Sequence, residues 1–171
     1  PSDDNFNMSL QSQQLWTPVA GKVISAMFRV QVSSITGIGF HLGFGNTQVL
    51  PFTTDFTDKI VIQKAILSAD VYGVTRGNSG TAAATTAKLG TMVNATEIEV
   101  GFEAVLAATA AACRVNWLYN GVRTQATAAQ RTQLLAILTS PPSMYFTVDA
   151  TGVTGTTPTI TATLAVAEVD N

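Results

Sequence analysis

From Val23 to Val32 the chain alternates: Ile24, Ala26, Phe28, Val30 and Val32 are apolar, and Ser25, Arg29 and Gln31 between them are polar. A period of two is that of a strand with one buried face, so those five residues are predicted to point into a core. Ser33 to Gly37 reads as a turn, after which Ile38, Phe40, Leu42 and Phe44 continue the pattern, with Gly39, His41 and Gly43 on the opposite face. Glycines on one face leave room for a close approach. Further strands are predicted over 59–67, 70–76, 97–106, 145–149 and 159–169, the last with Ile160, Ala162, Leu164 and Val166 facing inward and Thr159, Thr161 and Thr163 outward. The stretch CRVNWLYNGVRT, 113–124, places Cys113, Val115, Trp117 and Tyr119 on a core side and Arg114, Asn116 and Leu118 on the other. Its Asn120-Gly121 pair tolerates the positive φ of a tight hairpin turn.

Three segments break this pattern. RGNSGTAAATTAKLGT, 76–91, has no large apolar residue before Leu89 and is predicted to be a long flexible loop. Thr127-Ala128-Ala129-Gln130 matches a capping box, and Leu134, Leu135, Ile137 and Leu138 follow at helical spacing. This predicts one short helix over 127–138, ending before Ser140-Pro141-Pro142 because a residue preceding proline is pushed out of the α region. Residues 1–15 read as an extended N-terminal arm. Its Phe6, Met8 and Leu10, spaced by two, could add a strand to the edge of its own sheet or of a neighbouring subunit's. Residues 16–171 are then a single domain. Many short alternating strands with only one helix between them indicate an all-β antiparallel sandwich and exclude a βαβ arrangement.

Composition sharpens the picture of the surface. Charged residues make up 12% of the 171-residue chain, half the usual share, and Thr, Ser, Asn, Gln, Gly and Ala fill the difference. With a net charge of −2 and nine basic residues spread along the chain, there is no footprint for nucleic acid or an anionic membrane. The single cysteine, Cys113, cannot form an internal disulfide and reads as a small buried hydrophobe. There is no basic, apolar leader and no run of about 18 apolar residues, so a soluble protein is expected. Asn7-Met8-Ser9 and Asn94-Ala95-Thr96 match the glycosylation pattern, which carries little weight alone.

Candidate chemistry is sparse. Glu97, Glu99 and Glu103 share one strand face in EIEVGFE, an arrangement similar to the carboxylate strand of sandwich-type glycoside hydrolases. That family's Glu-x-Asp-x-Glu pattern calls for a third carboxylate where Gly101 or Phe102 stands, and Glu103 lies roughly 13 Å beyond Glu99 along an extended strand. A solvated polar face is the plainer reading. His41 is the only histidine and has no ligand-spaced Cys, Asp or Glu around it, so it is expected at a surface or interface rather than in a triad or a metal site. Nothing marks Ser79 as activated, Asp55 and Asp58 are too few for a calcium site, and Gly37-x-Gly39 lacks the third glycine and helix of a dinucleotide fold. Trp117 reads as core, and Trp16 follows the arm. No catalytic residue, metal or cofactor is expected.

The order FRVQVSSITGIGFHLGFGNT, DKIVIQKA, EIEVGFEAV, RVNWLYNGVR and TATLAVAEVDN resembles small virion proteins of tailed bacteriophages that fold as concanavalin- or laminin-G-like jelly-roll sandwiches. Many of these are capsid decoration, or cement, proteins. The resemblance spans 23–169. It implies a non-enzymatic structural protein on the outer surface of a phage head, a homo-oligomer (dimer or trimer) that clamps the major capsid protein. Phe6, Met8, Leu10 and His41 are the expected partner-binding residues. The charge-poor Thr- and Ala-rich surface suits such packing, since it loses little side-chain entropy on ordering. The alternative is a carbohydrate-binding sandwich of a tail fibre or adhesin using the face around Gly39, His41 and Gly43, and a third possibility is a glycosidase built on Glu97 and Glu99.

Overall fold

The computed structural model describes residues 6–46, 56–77, 83–139, 144–152 and 159–169. Within them the chain forms β1 (Phe6–Trp16), β2 (Val23–Val32), β3 (Ile38–Gly45), β4 (Lys59–Lys64), β5 (Asp70–Arg76), β6 (Thr85–Thr91), β7 (Ile98–Val105), β8 (Arg114–Tyr119), β9 (Val122–Gln125), α1 (Ala128–Thr139), β10 (Met144–Gly152) and β11 (Ile160–Val169). The strands assemble into a six-stranded sheet of order β1-β10-β3-β4-β5-β6 and a five-stranded sheet of order β11-β2-β7-β8-β9. Every pairing is antiparallel. The all-β sandwich expected from the alternation is therefore the observed architecture.

The period-two residues make the core. Ile24, Ala26, Phe28, Val30 and Val32 of β2 are fully buried, as are Phe40 and Leu42 of β3 and Val100 and Ala104 of β7. Aromatic rings stitch the two sheets together. Phe44 lies 5.6 Å from Trp16, 5.5 Å from Phe146 and 6.3 Å from Phe102, and Phe102 lies 5.7 Å from Trp117 in an edge-on pose. Such pairs add about 0.5–1.5 kcal/mol each beyond area burial. Trp117 reaches across the sandwich onto β5, where its indole lies on Gly73 so closely that a Cβ there would stand 2.3 Å from the ring. One pleat on, Tyr119 covers Gly90 of β6 in the same way and donates its hydroxyl to the Thr91 carbonyl at 2.7 Å. Trp117 is thus core, as its parity predicts, and Asn120 (φ 47°) with Gly121 (φ 81°) closes the β8–β9 hairpin as expected.

α1 plugs one end of the sandwich. Thr127 Oγ1 accepts from the Gln130 amide at 3.2 Å, and Gln130 Oε1 accepts from the Thr127 amide at 3.1 Å, the reciprocal bonds of the capping box. Gln130 is fully buried, and its side chain also donates to the Gly73 carbonyl at 3.0 Å and accepts from Trp117 Nε1 at 3.4 Å. One side chain therefore ties the helix start to both sheets. Lys64 at the end of β4 is buried on the core side and donates to the carbonyls of Ile35 and Ile38, and to that of Ala65 at 3.2 Å. Burial pushes its ammonium down to about 8.

One expectation changes and another narrows. The second half of the presumed 76–91 loop is the edge strand β6, paired with β5 from Asp70↔Thr91 to Thr75↔Thr85. Its threonines favour an extended chain, and its missing bulk is supplied by Tyr119 over Gly90. The presumed arm is β1, which runs along β10 with Phe6, Met8 and Leu10 opposite Gly152, Ala150 and Val148. Of the two pairings open to the arm, the chain uses the one with its own sheet.

Candidate functional site

The expected site on β3 is not an open face. His41 is 2% exposed, 6.0 Å from the Phe56 ring, and that same ring fills the space over Gly45. Gly39 lies against Ile66 and the Lys64 carbonyl. His41 is therefore corrected from a surface or interface residue to a buried one. The reason is that alternation tells which face a residue takes, whereas the cover laid over that face comes from elsewhere in the chain. Asp58 is buried in a polar turn, its Oδ2 accepting from Asn46 Nδ2 at 3.0 Å and from the Thr57 hydroxyl at 3.2 Å. Cys113 is buried with its thiol donating to the Ala107 carbonyl at 3.2 Å. Trp16 is half-buried against Phe44. Ser79 and Asp55 lie outside the described residues. No three His, Cys, Asp or Glu side chains converge among the described residues.

The outer face of the five-stranded sheet is where polar side chains gather in order. Its registers set out rows across the strands: Ser25–Glu103–Asn116–Gln125, then Met27–Gly101–Leu118–Arg123, then Arg29–Glu99. The absent side chain at Gly101 sinks the middle of the second row, and Met27 fills the dip, its sulfur 2.4 Å from where a Cβ would stand. On this face lies a cleft of about 260 Å³ lined by Ser25, Met27, Glu103, Asn116, Leu118 and Arg123, with Met27 in its floor. Asn116 Nδ2 donates to Glu103 Oε1 at 3.3 Å, and Arg29 stands 3.8 Å from Glu99 as an exposed pair of little energetic weight. Asn116 and Arg123 also line a wider depression of about 570 Å³ that reaches Arg114, Gln125 and, on α1, Arg131.

Of the three glutamates singled out in the sequence, Glu99 and Glu103 lie on this face and Glu97 precedes β7, exposed. Arg114 and Asn116 were placed on an outward face by parity, and Arg123 follows the Asn120-Gly121 turn. What sequence reasoning missed is that Met27 lies over Gly101 as the floor of a cleft between Glu103, Asn116 and Arg123, and that Arg131 of α1 stands beside it. The glycine inside an alternating strand was the available signal. A separate charged pair sits at the β5–β6 edge, where Lys88 Nζ lies 2.8 Å from Asp70 Oδ1. The Lys88 hydrogen bond, with another from the Thr91 hydroxyl, holds the Asp70 carboxyl below its ordinary value.

No family model matches the sequence, and no curated protein matches it either. Solved structures do. The chain is similar to the carbohydrate recognition domain of Emp47p at 12% identity and a TM-score of 0.61, covering 99% of this chain and 80% of that one. It is similar to the endo-1,3-β-glucanase of Streptomyces sioyaensis at 10% identity and a TM-score of 0.59, covering 94% and 68%. It is likewise similar to the catalytic domain of the laminarinase of Thermotoga petrophila RKU-1 at 13% identity and a TM-score of 0.55, covering 95% and 67%. The fold is a jelly-roll β-sandwich of this kind. These neighbours carry the resemblance seen in the sequence as far as that sandwich; none of the three is a capsid protein. They also correct the expectation of a protein without catalysis. Two of them are endo-1,3-β-glucanases, so this scaffold hosts glycoside hydrolysis elsewhere, and binding without turnover does not follow from it.

Proposed function

We propose that the protein is a carbohydrate-binding β-sandwich that takes a saccharide on the outer face of the five-stranded sheet. The observation that carries this reading is the cleft between Glu103, Asn116 and Arg123 over a floor of Met27 and Leu118. A sugar presents hydroxyls that both donate and accept, beside patches of C–H. Glu103 accepts, Arg123 donates, and Asn116 and Ser25 do both, while the two apolar side chains suit the C–H face. Met27 is flexible enough to adjust to the ring laid on it. The Emp47p domain and the two glucanases, saccharide-handling proteins by name, support the reading at the level of fold. In the virion setting implied by the sequence resemblance, such a module belongs to a tail fibre or adhesin, where saccharide binding serves attachment.

A glycan array followed by calorimetry on the best oligosaccharide tests this. Saturable binding is expected that weakens roughly tenfold or more in Glu103→Ala, which loses hydrogen bonds with a charged partner, and roughly three- to tenfold in Asn116→Ala, which loses neutral ones. Absence of binding to every glycan at millimolar concentration, or binding indifferent to both substitutions, refutes it. Following reducing ends in the same mixtures reads whether the bound glycan is cut.

A further inference from the structure

The wider depression beside the saccharide cleft carries its own signal. Of the nine basic residues in the chain, Lys22 just ahead of β2 lies outside this depression, and Arg29 and Lys88 face carboxylates. Lys59 donates to Gln63 at 3.3 Å, Lys64 to backbone carbonyls, and Arg76 to the Phe56 carbonyl at 3.1 Å. Arg114, Arg123 and Arg131 have no carboxylate or hydrogen-bond partner among the described residues, yet all three line one depression. They reach it from three elements: Arg114 begins β8, Arg123 lies on β9 opposite Leu118, and Arg131 sits in the first turns of α1. No Asp or Glu lines that depression, although the chain has eleven. Three like charges share this depression with no carboxylate in its lining; that of the adjoining cleft, Glu103, is engaged by Asn116, and a bound anion relieves the repulsion that is left.

The geometry points to an acidic oligosaccharide as the ligand, with a uronate carboxylate or a sulfate ester seated between Arg114, Arg123 and Arg131. The inference rests on the saccharide reading above and names its substrate class. A guanidinium presents a planar fork of donors that matches carboxylate and sulfate oxygens two at a time. Gln125 and Asn116 stand between the arginines to meet neighbouring hydroxyls. Arg123 and Asn116 line both the cleft and the depression, so one chain of sugars can place a neutral ring over Met27 and its acidic neighbour among the arginines.

Calorimetry on the full chain with a tetra-uronate, a sulfated tetrasaccharide, a neutral β-1,3-glucan tetrasaccharide and inorganic sulfate tests this. Either acidic tetrasaccharide is expected to bind more tightly than the neutral one, with affinity that falls as salt rises. Arg114→Gln and Arg131→Gln should each weaken it roughly tenfold while leaving the neutral ligand unchanged, and Arg131→Lys, which keeps the charge and loses the fork, should fall between. Neutral and acidic ligands bound equally, or glutamine variants bound like the parent, overturn the inference and leave the saccharide reading standing. Inorganic sulfate bound as tightly as the sulfated sugar overturns it in favour of a free-anion site. Failure of every oligosaccharide to bind removes both readings.

Discussion

Replacing Gln130 by Leu keeps the volume of a buried side chain and removes three hydrogen bonds at once. Its Oε1 accepts from the Thr127 amide and from Trp117 Nε1, and its Nε2 donates to the Gly73 carbonyl. Trp117 is fully buried and Gly73 is buried, so neither group finds water when Gln130 is lost, whereas the amide at the helix start can be hydrated. Each buried group left unpaired costs about 1–3 kcal/mol. The Trp117 bond is long at 3.4 Å and so contributes at the low end. The sum is about 2–4 kcal/mol, a large part of the roughly 5–15 kcal/mol that holds such a domain folded. With a urea slope of about 2 kcal/mol per molar, the unfolding midpoint should fall by roughly 1–2 M. Thr127→Ala is the control: it removes only the cap and should cost about 1 kcal/mol. A Gln130→Leu midpoint within roughly 0.3 M of the parent, or a Thr127→Ala loss of the same size, refutes the view that Gln130 ties helix to sheets.

Gly73→Ala sets a methyl 2.3 Å from the Trp117 ring, on backbone fixed between β4 and β6, and should cost about 1–3 kcal/mol in a thermal melt; an unchanged melt contradicts the packing described. Lys64 gives a pH signature: its folded-state value is about 8 against an ordinary 10.5, so between those values the unfolded chain holds more protons and stability should rise with pH. The carbonyls around the ammonium oppose part of this, leaving about 1–3 kcal/mol gained over that window, and Lys64→Met, though less stable throughout, should lack the rise. Tyr119, whose hydroxyl burial pushes up, acts alike in both proteins, so parallel pH curves for parent and variant between 8 and 10.5 would remove the assignment.

The sandwich was legible because its central strands alternate soundly, whereas on β11 Ala162 and Leu164, expected to face inward, lie exposed. β2 and β8 carry an unbroken period of two, Asn120-Gly121 announces its turn, and Thr127 to Gln130 announces the helix. β6 was not legible, because Thr, Ala and Gly give it no apolar face of its own; what buries it is Tyr119, 29 residues beyond Gly90 in the sequence. His41 shows the limit of parity. Its outward direction was right, but a long-range cover from Phe56 decides whether outward means exposed. The site failed to appear for the same reason. Arg114, Arg123 and Arg131 are unremarkable one by one, and only the β8–β9 register and the docking of α1 bring them together. Fold-level likeness carried the sandwich and stopped there, since role depends on what loops and outer faces are made to hold.

β10 sits between β1 and β3, and β11 borders β2, so strands from the two ends of the chain are neighbours in both sheets. During synthesis β1 has no partner to pair with until residues 144–152 have been made, and one flank of β3 stays open for as long. The sandwich therefore closes late, by long-range pairings that fold slowly, while hydrophobic strand edges wait. The cell must shield those edges, or the nascent chains will find each other before they find themselves.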